Sequence, residues 1–436
     1  MIIAVINGKT PSQALKQIQE AGNLADLLEF RVDQFQDQSI ETLHSLKKAS
    51  KKPVLITLRS QNQGGEFVGD PYDRLLLLDQ LSPEYIDLEC GTALPPIQSK
   101  KILSYHRFTK GVKDLTALYQ NMKTVPADYY KIALTPENSS EALEMLQFAK
   151  DKPDLIAVAM GEHASFSRIL NHRFTYACVQ ESYYGQVSLR DLHEIYNYSR
   201  LHPQTKWFGL IGDPVEHSIG HLFHNERMRP HDASYVKIPV KSEEIAKFIS
   251  LAKQFPFHGL SVTMPLKEVV LPFLDVRSND VQAIGACNTL LFRNGKIIGE
   301  NTDGKGALNA LEKQGSVAGQ RILILGAGGS AKAIAYEAKK RGAKTQFLSR
   351  TARQNTSSLS DFSQYDYDVL INCTPSDLPV NPQRMLEGKT VMDIRVNPQD
   401  SSLLSEALKK GCRLVGWKEM FNEQAKLQLE LFLSSQ

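Results

Sequence analysis

Cysteine is scarce in this sequence, and what there is lies scattered. Cys90, Cys178, Cys287, Cys373 and Cys412 stand far apart and form no C-x-x-C pair, which argues against a disulfide framework or a cysteine zinc site. Charge of one sign is missing too. The 51 lysines and arginines nearly balance 48 acidic residues, leaving a formal net charge of +3. That balance gives no electrostatic case for nucleic acid or for an anionic membrane. There is no apolar run of about 18 residues, the length that spans a bilayer. The chain opens on Ile2-Ile-Ala-Val-Ile6, which reads as a strand rather than a basic and apolar targeting segment. The expected partners are small molecules, the expected home is the reducing cytoplasm, and the expected state is a monomer or weak homo-oligomer. At 436 residues with 42% apolar content, two or three domains with full cores are expected.

What is present centres on Arg321-Ile-Leu-Ile-Leu-Gly-Ala-Gly-Gly-Ser-Ala331. An apolar run ends in Gly326, Ala327, Gly328 and Gly329, and a helix-like segment follows from Ser330 and Ala331. Strand, tight turn and helix in this order let a backbone approach a pyrophosphate at a helix N-terminus. Glycine also serves such turns for steric reasons alone, so the next strand carries more information. It runs into Ser349, Arg350, Thr351 and Arg353, where an NAD site would usually place a carboxylate for the ribose hydroxyls. Arginines and hydroxyls instead suit the 2′-phosphate of NADP, the expected cofactor. A solvated turn is the plainer alternative.

Residues 1–203 contain eight short apolar runs, at 2–6, 27–32, 53–58, 85–89, 101–105, 130–134, 155–160 and 174–179. Polar or helix-period stretches separate most of them, among them 11–21, 39–48, 72–81 and 139–149. Continuous apolar runs fit strands covered on both faces, and eight such units fit a compact (β/α)8 barrel. A doubly wound open sheet is the alternative. In a barrel, function gathers at the C-terminal strand ends. There lie Glu29, Arg31, Arg59, His106, Lys131, Arg168, Ser182 and Gln186. Lys131 puts an amine inside an apolar strand, where desolvation favours nucleophilic use, unless the side chain snorkels to the strand end. Arginines at three separate strand ends look like an anion clamp, although each alone usually serves an ion pair.

The stretches Glu29-Phe-Arg31, Thr57-Leu-Arg59, Ser104-Tyr-His106, Lys131-Ile-Ala, Ser167-Arg168 and Ser182-Tyr-Tyr-Gly-Gln186 resemble the type I 3-dehydroquinate dehydratases. The resemblance implies that Lys131 forms a Schiff base with the substrate ketone and that His106 serves as base and then acid. It further implies that Arg168 holds the carboxylate, while Glu29, Arg31, Arg59, Ser182 and Gln186 read hydroxyls and orient the ring. One departure is visible. The family often carries Glu before the Gly-Gly pair, and here Gln63 precedes Gly64-Gly65, with Glu66 just beyond as a substitute carboxylate.

The second half restarts at Trp207. Four segments end in polar residues that lead into glycine or a helix: 208–218, 259–267, 283–289 and 299–306. They precede the dinucleotide unit and resemble shikimate dehydrogenase over about 206–436. That resemblance makes Lys267 and Asp303 the catalytic pair and gives Thr263 and Asn288 to the ring hydroxyls and Ser218 to the carboxylate. It puts Gln424 on a last helix returning to the substrate side, and Asn372 and Thr374 near the nicotinamide. Departures are Gly220 in place of a second serine, Val396 in place of a tyrosine and Ser349 in place of an asparagine. His217, His221 and His224 do not make a convincing metal set, because the spacing is not reliably helical and no third ligand with a carboxylate base is apparent.

The two resemblances describe consecutive steps, as in the fused enzyme of plants. They imply a (β/α)8 TIM barrel over 1–203, an α/β substrate domain over 206–305 and a Rossmann NADP domain over 306–417. A final helix over 418–434 crosses back. A Schiff-base aldolase in the first half, a quinate or folate dehydrogenase in the second, or a decayed site in either half are the rival readings.

Overall fold

The first strand of the chain lies inside its sheet rather than at an edge, and this placement decides the architecture of the first half. The computed structural model describes residues 1–180, 185–350, 356–396 and 401–434, and the chain divides into units Met1–Thr205 and Lys206–Gln436. In the first unit β1 (Ile2–Ile6), β2 (Leu27–Arg31), β3 (Val54–Thr57), β4 (Tyr85–Glu89), β5 (Lys100–Lys110), β6 (Tyr129–Thr135), β7 (Leu155–Ala159), β8 (Thr175–Cys178) and a short β9 (Val187–Ser188) form one sheet. Its order is β7-β6-β5-β4-β3-β2-β1-β8-β9, and β1 pairs in parallel with both β2 and β8. Side chains from β7 (Ile156, Val158) and β8 (Tyr176) join those of β1, β2, β3, β5 and β6 in one buried cluster. The sheet therefore curls so that its two ends share a filled interior, as in a (β/α)8 barrel, and the open-sheet alternative falls. The expected strand positions hold to within a residue or two, except that β5 continues to Lys110 along β6. That extension keeps His106 in register with Ala133, and the pairing shifts between Arg107 and Lys110, where Phe108 lies.

Local signals start the intervening helices. Thr10 caps Pro11–Ala21, accepting from the Gln13 backbone, with proline in the first turn where its missing N–H costs nothing. Asn138 caps Ser139–Ala149 in the same way, accepting from Glu141.

The second unit holds two sheets. β10 (Lys206–Gly212), β11 (Ala233–Pro239), β12 (Phe257–Val262), β13 (Val276–Arg277), β14 (Thr289–Arg293) and β15 (Lys296–Glu300) make a mixed sheet of order β11-β10-β12-β14-β15-β13. β16 (Arg321–Leu325), β17 (Lys344–Ser349), β18 (Ser357–Ser358), β19 (Val369–Asn372), β20 (Thr390–Asp393) and β21 (Arg413–Val415) are parallel neighbours in the order β18-β17-β16-β19-β20-β21. This is the doubly wound order of dinucleotide folds, in which the strand sequence reverses beside β16. The final helix, Trp417–Leu433, packs back onto the mixed sheet: Phe432 lies 4.9 Å from Phe208, ring to ring. Gly259 and Gly306 permit this approach, because a Cβ at either would come within 2.5 Å of Phe432 or Gln424.

Candidate active sites

In the barrel, the inward positions of successive strands deliver one polar cluster. Lys131 on β6 is 4% exposed. Its Nζ stands 3.8 Å from Glu29 Oε1 and 3.7 Å from Asp87 Oδ2, beyond hydrogen-bond range, and 4.0 Å over the Tyr176 ring. Burial holds the amine below its usual pKa, with Glu29 and Asp87 opposing that shift. Desolvation shifts the lysine towards the neutral amine, and no carboxylate lies close enough to hold its protons by a hydrogen bond. Glu29 in turn accepts from Thr57 Oγ1 at 2.8 Å.

His106 lines the same cavity as Lys131, Arg59, Gln63, Arg168, Tyr176 and Gln186. Burial first, then the positive charges of Arg59, Lys131 and Arg31, push its imidazole well below the ordinary histidine range. A neutral ring able to accept a proton results. Its backbone N–H donates to Gln63 Oε1 at 3.0 Å, and Nδ1 lies 3.4 Å from the same oxygen. The turn that brings Gln63 there needs its two glycines. Gly64 has φ +80°, and a Cβ on it would enter the Phe108 ring, while one on Gly65 would overlap the Arg59 carbonyl. Gln63 itself takes the place beside His106. Glu66 does not substitute for it, since it lines a neighbouring cavity with Lys9, Arg31 and Gln34.

The three arginines differ. Arg59 is paired, donating to Glu89 at 3.1 Å, Ser104 at 2.9 Å and Asp87 at 2.8 Å. Arg31 is paired with Asp33 through two bonds at 2.9–3.0 Å. The expected threefold anion clamp is thus reduced, because two of its members already neutralise buried carboxylates. Arg168, 5% exposed, keeps a buried Nε without a partner, and burial brings its pKa down to about 10. Ser182 lies outside the described residues. Sequence reasoning missed Asp87, Glu89 and Tyr176. The signal was available: Asp87 and Glu89 alternate on β4 as Glu29 and Arg31 do on β2, so both pairs face inward.

In the second unit, Lys267 follows the turn after β12 and Asp303 opens the helix Asp303–Glu312. Lys267 Nζ donates to Asp303 Oδ2 at 2.5 Å and to Ser330 Oγ at 2.8 Å, and Ser330 Oγ donates to the same carboxylate oxygen at 3.0 Å. Asn288 donates to Asp303 Oδ1 and Thr302 Oγ1, both at 2.9 Å, and faces Gln424 Oε1 at 3.4 Å. The expected residues Lys267, Asp303, Asn288 and Gln424 thus meet in one network. Beneath them runs a chain that the sequence reading did not include: Tyr235 to Ser261 at 2.6 Å, Ser261 to Gln428 at 2.6 Å, and Gln428 to Thr289 at 2.7 Å. Gln424 and Gln428, one turn apart on the last helix, were the available signal. Ser218 lies apart from this network in the loop after β10, where its hydroxyl accepts from the Gly220 backbone at 3.1 Å. Thr263 sits at the end of β12, against Gly212. His224 is 1% exposed and stacks on Tyr235 at 4.4 Å. Burial drives it down to about 3, so its role here is packing.

The residues around Gly326 fit a dinucleotide. Gly326 has φ +106°, and a Cβ there would press within 3.1 Å of the Cys373 carbonyl. Gly328 caps the helix Gly329–Lys340 with no side chain, and a Cβ at Gly328 would meet nothing within 4 Å. Bare helix N–H groups facing open space at a strand crossover are what a pyrophosphate requires. Gly329 packs towards Lys267 and Ala286, so the cofactor turn and the catalytic pair adjoin. Ala327 lies between these glycines. Ser349 and the exposed Arg350 end β17, close to the turn. Thr351 and Arg353 lie outside the described residues. The Asn372 side chain is fully buried, donates to Ser376 O and Asp393, and accepts from Thr374, so it shapes the loop that lies against Gly326. The Ala331 side chain is buried in the core, in the first turn of the helix Gly329–Lys340.

Comparison with known proteins agrees with this division. A family model for type I 3-dehydroquinase matches residues 2–203, and one for the shikimate dehydrogenase substrate binding domain matches residues 210–290. The chain is 36% identical to the shikimate biosynthesis protein AroDE of Chlamydia pneumoniae, covering 99% of this chain and 95% of that protein. It is 32% identical to the chloroplastic bifunctional 3-dehydroquinate dehydratase/shikimate dehydrogenase of Arabidopsis thaliana, covering 94% of this chain and 77% of that one. A crystal structure of a shikimate dehydrogenase in complex with NADP+ superposes with a TM-score of 0.50 at 31% identity, over 54% of this chain and 92% of that one. The chain belongs to the bifunctional family that joins a type I 3-dehydroquinate dehydratase to an NADP-dependent shikimate dehydrogenase.

Proposed function

We propose that the first unit dehydrates 3-dehydroquinate through an imine on Lys131, and that the second reduces the resulting 3-dehydroshikimate with NADPH through Lys267 and Asp303. The observation that carries this reading is the Lys131 amine, buried but unbonded, in one cavity with a neutral His106 and an uncommitted Arg168. The amine adds to the ketone carbon and the carbonyl oxygen departs as water, leaving a protonated imine. The positive nitrogen acidifies the neighbouring C–H, so a modest base suffices. His106 takes that proton, then returns it to the hydroxyl that leaves from the next carbon as water. Hydrolysis of the imine frees the product and restores the amine. Gln63 keeps the imidazole oriented through the His106 backbone and Nδ1. Arg168, and in lesser measure the committed Arg31 and Arg59, orient the ring with Glu29 and Gln186.

In the second unit Gly326 to Ser330 would hold NADPH, with Arg350 on its 2′-phosphate, and the bound cofactor would supply the hydride for the ketone carbon. Lys267 holds the proton destined for the ketone oxygen, and Asp303 and Ser330 fix the ammonium and replenish it. Asn288 and Gln424 contact ring hydroxyls with Thr263, and Ser218 takes the carboxylate. We assign 1–203 to the barrel, 206–305 to the substrate domain and 306–417 to the cofactor domain. We place the protein in the cytoplasm as a monomer or weak homo-oligomer, which its five free thiols and near-neutral charge fit.

The direct test gives the purified full chain NADPH with either 3-dehydroquinate or 3-dehydroshikimate and follows nicotinamide absorbance. Oxidation from both starts, with shikimate as product, is expected. Oxidation from 3-dehydroshikimate alone would remove the barrel reading, and oxidation from neither would remove both.

A further inference from the structure

Two buried side-chain donors that line the barrel cavity have no acceptor among the described residues. Tyr176, inward on β8 and 3% exposed, has a buried hydroxyl with no hydrogen-bond partner, and so does the Arg168 Nε. The two are electrostatic neighbours: Tyr176 is the charge partner that acts on Arg168, and after burial the charges acting on Tyr176 are Glu29 and Asp87 first, then Arg59 and Arg168. Both line the cavity that contains Lys131 and His106. Other cations of this cavity already have carboxylate partners: Arg59 has Asp87 and Glu89, and Arg31 has Asp33. A buried guanidinium with no carboxylate partner among the described residues and a buried phenol with no acceptor are each costly to maintain. One ligand group relieves both: an anion with two acceptor oxygens.

We infer that the Tyr176 hydroxyl and the Arg168 guanidinium together hold the carboxylate of the dehydratase substrate, making Tyr176 a specificity-determining residue of the barrel. The proposal rests on the dehydratase reading above and deepens it. The tyrosine ring, 4.0 Å beneath Lys131 Nζ, has a second consequence. The ring that floors the reacting amine also carries the hydroxyl that anchors the substrate's far end, so the distance from carboxylate to ketone is gauged by one rigid side chain.

Tyr176→Phe removes the hydroxyl and keeps the ring, and is measured in the full chain. KM for 3-dehydroquinate should rise about tenfold, the effect of one hydrogen bond to a charged group, while kcat changes by less than about threefold. Borohydride should still trap the adduct on Lys131 at saturating substrate. An inhibitor of the same ring bearing a carboxamide in place of the carboxylate should bind the two proteins within about twofold, whereas the carboxylate form should discriminate between them. In a cycle with Arg168→Lys, the two KM effects should be less than multiplicative, because both residues hold one group. Unchanged KM with the adduct intact would overturn the Tyr176 assignment and leave the dehydratase reading standing. Failure to trap any adduct on Lys131 in the unsubstituted chain would overturn the dehydratase reading, and this assignment with it.

Discussion

The two units use the same side chain against carboxylates at different distances. Lys131 stands 3.7–3.8 Å from Asp87 and Glu29 and bonds to neither, whereas Lys267 is bonded to Asp303 at 2.5 Å and to Ser330 at 2.8 Å. The barrel lysine is 4% exposed and held below its usual pKa by burial. Carboxylates too far to bond keep the amine in place without holding its protons by hydrogen bonds. In the dehydrogenase unit the lysine's protons are committed to an oxygen relay, which suits a donor and not a nucleophile. A difference of little more than 1 Å in lysine–carboxylate separation is thus what the proposed roles, covalent for Lys131 and acid for Lys267, rest on.

Exchanging the losses tests this contrast most strongly. Lys131→Ala should abolish adduct formation and lower dehydration by on the order of 10⁴-fold or more, with reduction of 3-dehydroshikimate unchanged. Lys267→Ala should lower reduction by roughly 10²–10⁴-fold and leave dehydration alone. Steady-state rates of each half-reaction on both variants decide it, and a still-labelled Lys131→Ala protein would break the contrast outright. A smaller effect is expected where the second unit reads its cofactor. Arg350→Asp should weaken NADPH by about tenfold or more, the cost of losing a charged contact, and weaken NADH little. Equal losses measured by nucleotide titration would mean that the phosphate is read elsewhere.

The smallest effect sharpens the comparison from the barrel side. Cations surround His106, and its side-chain partner is the neutral Gln63 amide. Its pKa is lowered, so the imidazole stays unprotonated, and the base competent, to below the ordinary histidine range. The acidic limb of kcat/KM should lie correspondingly low. Gln63→Glu would put a carboxylate beside the ring, favour the imidazolium and move that limb to higher pH by about one unit. A pH profile of dehydration that does not move would show that Gln63 orients the ring without tuning it.

Much of this was legible beforehand. Eight covered apolar runs predicted the parallel strands, because burial on both faces leaves a continuous signature. Their position at C-terminal strand ends marked Glu29, Arg31 and Lys131, and the strand, glycine turn and helix order marked Gly326–Gly329. What escaped notice follows a physical pattern as well. Asp87 and Glu89 read as ordinary strand residues until Arg59 reached them from the end of the neighbouring strand. Arginine count did not distinguish Arg168, without a partner, from Arg31 and Arg59, already neutralised.

By itself the sequence determined which strands and helices form, where each chemically able side chain sits along them, and that a glycine turn between strand and helix follows β16. Those properties are local, set by periodicity, capping and the conformations that glycine allows. Only the tertiary structure decided which charges meet. Whether a lysine bonds a carboxylate or stops short of it, whether an arginine is spent or waiting, and whether Asn372 faces a ligand or braces its own loop all depend on strands far apart in sequence. In a buried site an ångström separates a hydrogen bond from an open position, and spacing along the chain does not encode that distance.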